Sequence, residues 1–177
     1  MSENIYERDL MGRGIIYFTG EVTQKSMCNL SEKIMLLNED LNFNKPIQLY
    51  INSPGGDLAA AFGAIEILRR TRLKIVTIAV GEICSCGLLL FLAGDYRVIT
   101  KNTAILSHQY FWGMKGKHAE LTAARKEQDL TYKRLVNYYK ARTGMAEGLI
   151  KEKLLPATDV WLTPKEAIRY KIASKIT

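Results

Sequence analysis

Ser85 lies in the segment Gly81-Glu82-Ile83-Cys84-Ser85-Cys86-Gly87, directly after an apolar run of strand type and at the head of an apolar run of helical length. Backbone N–H groups at a helix start lack intrahelical acceptors, and the helix dipole favours negative charge there. A hydroxyl in that place could therefore act as an acyl-transfer nucleophile beside ready-made donors for an oxyanion. His108 ends the apolar run Ala104-Ile105-Leu106-Ser107, and a strand end could hold an imidazole base within reach of that hydroxyl. Asp159 stands before Val160-Trp161, and Gly55-Gly56 offers a backbone that a ligand could approach because no side chain blocks it. Each has an ordinary structural reading beside the chemical one: a helix-capping serine, a hydrogen-bonded structural histidine, a turn aspartate, and a turn that needs positive φ. Local pattern does not choose between the two. It does disfavour the nucleophile elbow of the α/β-hydrolases, because Ile83 rather than glycine stands two residues before the serine and the order serine, histidine, aspartate differs from theirs.

Cys84 and Cys86 could be a metal pair, but only His108 and His118 remain to complete a shell, so neither a metal nor any other cofactor is expected. The two cysteines are too close for an ordinary disulfide, which agrees with a reducing compartment. The N-terminal MSENIYERDLMGRG has early acidic residues and no apolar core before a small-residue cleavage site, so a cytoplasmic protein is expected. The longest apolar candidate, GLLLFLAG from Gly87 to Gly94, suits a buried helix and is too short for a bilayer, so no membrane partner is expected. The net charge of +7 comes mainly from one stretch, where Lys115, Lys117, Arg125, Lys126, Lys133, Arg134, Lys140 and Arg142 face only Glu120, Glu127 and Asp129. A basic run on a polar helix is usually a solvated face, and no zinc finger, aromatic RNA-binding strand or helix-turn-helix accompanies it, so no nucleic-acid partner is expected.

These residues need a scaffold, and 177 residues suffice for one sizeable core. Strands are expected at Gly14–Gly20, Ile47–Ile51, Lys74–Val80, Tyr96–Thr100, Ala104–Ser107 and Ile172–Ile176. Helices are expected over Thr23–Leu41, with Met27, Leu30, Ile34, Leu37 and Leu41 on one face, from Asp57 to Arg70, over Cys84–Ala93, and over Lys117–Arg142. Thr163-Pro164-Lys165-Glu166 carries a capping threonine, a first-turn proline and a reciprocal glutamate, so a further helix starts there. Strand and helix alternate, which predicts an α/β fold with mostly parallel pairing.

Taken together, IIYFTGEV, LYINSPGGD, GEICSCG, LSHQ and DVWLTPKEAIRYKI resemble the Clp protease proteolytic subunit over nearly the whole chain. The resemblance implies a ClpP and crotonase type of fold, stacked ββα units with a projecting strand-helix handle. The single domain would have its head at 1–108 and 143–177 and its handle at 109–142. It implies a serine endopeptidase in which Ser85, His108 and Asp159 form the triad and the N–H groups of Gly56 and Cys86 form the oxyanion hole. It also implies homo-oligomers, a heptameric ring or a double ring of fourteen, that enclose peptide and unfolded protein substrates. No G-x-x-x-x-G-K-[ST] loop is present, so an AAA+ ATPase unfoldase would be a separate partner. Three features depart from the family pattern: few residues precede IYERDL, where an axial loop is expected; Tyr110 replaces the proline after His-Gln; and Ala157-Thr158 replace the Asp-Arg pair before Asp159. The alternatives are a catalytically silent subunit with a structural role in ring assembly, and a crotonase-type acyl-CoA enzyme using a carboxylate such as Glu82.

Overall fold

Parallel strands cannot be joined by tight turns, so a chain that sets its strands side by side must return through helices. The computed structural model describes residues 5–177; the first four residues of the N-terminal segment read above as non-secretory lie outside the described residues. A short helix α1 (Ile5–Gly12) precedes β1 (Ile15–Thr19), α2 (Gln24–Glu39), β2 (Ile47–Ser53), α3 (Leu58–Arg70) and β3 (Ile75–Cys84). Then come α4 (Cys86–Leu92), β4 (Tyr96–Ile99), β5 (Ala104–Ser107), α5 (His118–Thr143), α6 (Glu147–Lys153), β6 (Val160–Leu162), α7 (Pro164–Arg169) and β7 (Lys175–Ile176). The strands run in the order β1-β2-β3-β4-β7, all parallel, with β5 parallel to the end of β3 and β6 antiparallel on β5. This is the mixed α/β fold expected of the resemblance.

The sheet divides along β3. Its first half pairs with β4 through Val76–Ala79, and its second half pairs with β5 through Glu82–Cys84. Gly81 sits between the halves at φ 70, where a side chain would strike Asn52 Oδ1 at 2.6 Å, and that oxygen accepts the Glu82 N–H at 3.0 Å. The register of β2 shifts between Ile51 and Ser53 alongside it. The ends of β2, β3 and β5 therefore lie side by side, through the pairs Ser53–Ile83 and Cys84–Leu106. Their last residues lead into the Gly55-Gly56 turn, Ser85 and His108.

The core lies between this sheet and its helices. Ile47, Leu49 and Ile51 of β2 alternate inward, α2 contributes Met27, Leu30, Ile34 and Leu37, and α3 contributes Ala61, Ala64, Ile65 and Leu68. Every residue of α4 is buried, as an all-round apolar helix requires, and each of its leucines contributes roughly 1.5–3 kcal/mol by burial. Arg142, read from sequence as part of a solvated basic face, is instead structural: its Nε donates to the Leu92 carbonyl at 2.7 Å and its Nη2 to the Gly94 carbonyl at 2.6 Å, closing the carbonyl end of α4. The expected caps are present at Asp57, which accepts from the Ala60 N–H at 2.8 Å, and at Thr163 with Glu166.

Several elements differ from the sequence-based expectation. β3 continues through Gly81 to Cys84, because the glycine bends the strand without ending it. α1, α6 and β6 are short segments without a readable period, and β6 exists through its pairing with β5. The final strand is only Lys175–Ile176, since Ile172 and Ala173 are buried in the turn after α7. The strand expected before the long helix is absent: residues 108–117 carry none, and the buried residues of α5 begin at Thr131, so the first half of that helix is largely exposed.

Ser107, fully buried, donates to the Leu154 carbonyl at 2.6 Å and lies 3.0 Å from the Tyr139 hydroxyl, tying β5 to α5 and to the end of α6. Ser107→Ala leaves a buried carbonyl and hydroxyl short of a partner, an expected loss of about 1–3 kcal/mol. Urea unfolding checks this through a lower midpoint at unchanged slope; an unmoved midpoint would show that those groups find other partners.

Candidate active site

The chain reaches Ser85 from the end of β3 and leaves it into α4 at φ 53 and ψ −119, one of two non-glycine residues with positive φ among those described. Such a conformation costs of order 1–3 kcal/mol and persists only when its surroundings over-determine it. Here the Ser85 N–H donates to the Leu106 carbonyl at 3.0 Å, and its own carbonyl accepts from Leu88 at 3.1 Å and Leu89 at 3.3 Å. Its side chain makes no capping bond, so the hydroxyl that the sequence would equally allow as a helix cap is not used as one.

Ser85 opens on a cleft of about 450 Å³ whose lining includes Gly56, Cys86, His108, Tyr110 and Phe111, with Leu58, Leu89 and Leu135 as its apolar side. Gly55 and Gly56 hold φ values of 101 and 144. A side chain at Gly55 would meet Ser85 Cβ at 2.7 Å, and one at Gly56 would overlap the Val22 carbonyl oxygen. Val22 clamps the turn through its N–H to Gly55 O at 2.8 Å and its carbonyl to the Asp57 N–H at 2.7 Å. That bridge leaves the Gly56 N–H and carbonyl facing the other way, toward the start of α4. The Cys86 N–H, at the first position of α4, has no intrahelical acceptor. Both flanking thiols are buried, and burial, with Glu82 adding to it at Cys84, pushes Cys84 and Cys86 each up to about 11, so neither is a thiolate at neutral pH.

His108 lines the same cleft, half-buried, with Nδ1 hydrogen-bonded to the Gln109 carbonyl. A carbonyl only accepts, so Nδ1 carries the proton, and in the neutral ring Nε2 holds the lone pair. Gln109 is in turn anchored by Nε2 to the Leu155 carbonyl at 2.9 Å. Asp159 is exposed and accepts no hydrogen bond from the described residues. Its place follows from the ladder of β5 and β6, which pairs Ile105 with Leu162, Leu106 with Trp161 and Ser107 with Val160. The ladder ends there; Asp159 and His108 are the residues just beyond its last pair, one on each chain segment. The structure thus gathers Ser85, His108, Gly56 and Cys86 around one cleft, and leaves Asp159 outside its lining and unjoined to the imidazole.

Val22 escapes a reading of sequence, because its part is played by backbone and nothing in its type signals it. Among the described residues no three or more His, Cys, Asp or Glu converge to hold a metal ion, and no helix is long and apolar enough to cross a membrane.

A family model described as Clp protease matches residues 1–177. The chain is 32% identical over 179 residues to the ATP-dependent Clp protease proteolytic subunit of Deinococcus radiodurans, covering 99% of this chain and 85% of that one. It is 26% identical over 176 residues to the ATP-dependent Clp protease proteolytic subunit 2 of Treponema pallidum, covering 98% and 87%. The corresponding subunit 2 of Treponema denticola is 32% identical over 166 residues, covering 91% and 80%.

Proposed function

The chain belongs to the Clp protease family, and from that premise we propose that it is a serine endopeptidase cleaving peptides and unfolded polypeptides through an acyl-enzyme on Ser85. The observation that carries the proposal is the strained, uncapped Ser85 at the head of α4, with the backbone of Gly56 turned toward it and His108 in the same cleft.

In this reading Ser85 Oγ attacks the scissile carbonyl carbon while His108 Nε2 takes its proton, and the N–H groups of Gly56 and Cys86 donate hydrogen bonds to the carbonyl oxygen as negative charge forms on it. The imidazolium then returns the proton to the leaving amine, and water repeats the sequence to release the acyl group. Asp159 is the third member, replacing Gln109 O as the acceptor for Nδ1–H when the ring turns to meet it. Leu58, Leu89, Leu135 and Phe111 suit an apolar side chain next to the scissile bond.

The head at 1–108 and 143–177 and the arm at 109–142 would form one domain that assembles into a heptameric ring, alone or paired into fourteen, in the cytoplasm. The relatives are named ATP-dependent. We assign that step to a separate AAA+ unfoldase.

One observation favours the second reading, a catalytically silent subunit: the Nδ1 contact to Gln109 and the exposed Asp159 leave the triad incomplete in the single chain. Intact-mass measurement after treatment with a fluorophosphonate separates the two. An adduct on Ser85 supports the peptidase, whereas a correctly assembled oligomer without one supports the silent subunit.

Gly56→Ala is a more selective probe. The new methyl meets the Val22 carbonyl, forces the turn outward and draws the backbone N–H off its aim, so peptide turnover is expected to fall about a hundred- to a thousandfold. Turnover within about threefold of the parent protein would take Gly56 out of the oxyanion hole.

A further inference from the structure

Gly56 is held from two sides by different chemistry. On one side, Val22 binds the peptide groups that flank it, through Gly55 O and the Asp57 N–H. A residue bridged in this way presents its own N–H and carbonyl together to the opposite side. On that side the Cys86 thiol donates to the Gly56 carbonyl at 3.1 Å. The Gly56 N–H lies in the peptide plane that Val22 holds through Gly55 O, and the thiol holds the next plane through Gly56 O, so the residue that presents the N–H is pinned from both sides.

We propose that Cys86 is a positioning residue for the oxyanion hole: its backbone N–H is one donor, and its thiol holds Gly56 so that the second donor converges on the same point. The inference rests on the serine peptidase reading above.

The surroundings suit the task. Cys86 is 3% exposed, so the bond is shielded from competing water. Burial also keeps the thiol protonated through the neutral range, so it remains a donor while the enzyme works. Val22 alone ties the turn to the segment between β1 and α2; the thiol ties it directly to α4, the element that also carries Ser85. Donors act on a transition state only if their aim is preset, since a displacement of about 1 Å can forfeit as much as a hundredfold in rate.

The test measures peptide hydrolysis and inhibition by a peptide boronate, which forms a tetrahedral adduct on an active serine, in the parent protein, Cys86→Ala and Cys86→Ser. Cys86→Ala is expected to lower kcat about tenfold, a fraction of the full loss of a donor, with KM unchanged within about twofold and the boronate weakened in parallel with kcat. Cys86→Ser keeps an O–H donor and is expected to recover at least about threefold of that loss. Unchanged kcat and boronate affinity in Cys86→Ala would overturn the inference and leave the peptidase reading standing. Equal loss in both variants, tracking a fall in thermal midpoint or a rise in KM, would reduce the thiol to packing and overturn it too. A parent protein that neither hydrolyses peptide nor binds the boronate through Ser85 would instead bring down the peptidase reading, and the inference with it.

Discussion

Ser85→Ala is expected to lower peptide turnover by about 10⁵- to 10⁶-fold while the protein folds and assembles as before. The size of the effect follows from the absence of a substitute nucleophile in the cleft: the thiols on either side are buried and protonated, and the hydroxyl at 85 does not cap α4. Stability should hold because the three hydrogen bonds that keep residue 85 at positive φ are all made by its backbone, which alanine retains. The measurement pairs hydrolysis of a fluorogenic peptide with a thermal midpoint. Loss of turnover at an unchanged midpoint assigns the nucleophile. A variant that keeps more than about a tenth of the parent rate would move that assignment elsewhere in the cleft.

Asp159→Asn is expected to lower turnover about 10⁴-fold with little change in fold. The carboxylate is exposed and bonded to nothing among the described residues, so its replacement has almost no stability to remove. The loss is tautomeric. General-base work needs the proton on Nδ1 and a free lone pair on Nε2, which an acceptor beside Nδ1 secures; an asparagine can turn its amide N–H toward Nδ1 and select the opposite tautomer. The Gln109 carbonyl now holds Nδ1 in the useful tautomer, so the variant measures which acceptor serves during turnover. A fully active Asp159→Asn protein would give that role to Gln109 O, and a collapse in rate would show that Asp159 displaces it.

The alternating elements were legible because burial imposes a period. Met27, Leu30, Ile34 and Leu37 mark the inner face of α2, and the strand runs of β2 and β3 stand out between turn residues. The capping groups Asp57 and Thr163 were legible for a similar reason, since they act within three residues of themselves. β6 was not legible: three residues carry no period, and the strand owes its existence to β5. The continuation of β3 past Gly81 was missed because glycine marks a turn and a bend alike, and Asn52 on the neighbouring strand decides between them. Arg142 could not be told from its solvated neighbours, because its partners are carbonyls of a helix some fifty residues earlier.

The same division runs through the site. Residue types and local position made Ser85, His108, Asp159 and the Gly55-Gly56 turn candidates beside their ordinary structural readings, and the resemblance to the Clp protease proteolytic subunit singled them out. The meeting of Ser85, His108 and the Gly56 turn depends on contacts between residues far apart in the chain: the register shift between β2 and β3, the pairing of β3 with β5, the Val22 clamp and the thiol bond from Cys86 to Gly56. Such contacts form only when the core closes, because hydrogen bonds between distant segments have no local signature and are specified by packing. Composition and order along the chain thus decided which groups are available for chemistry, and the folded arrangement decided which of them face one another.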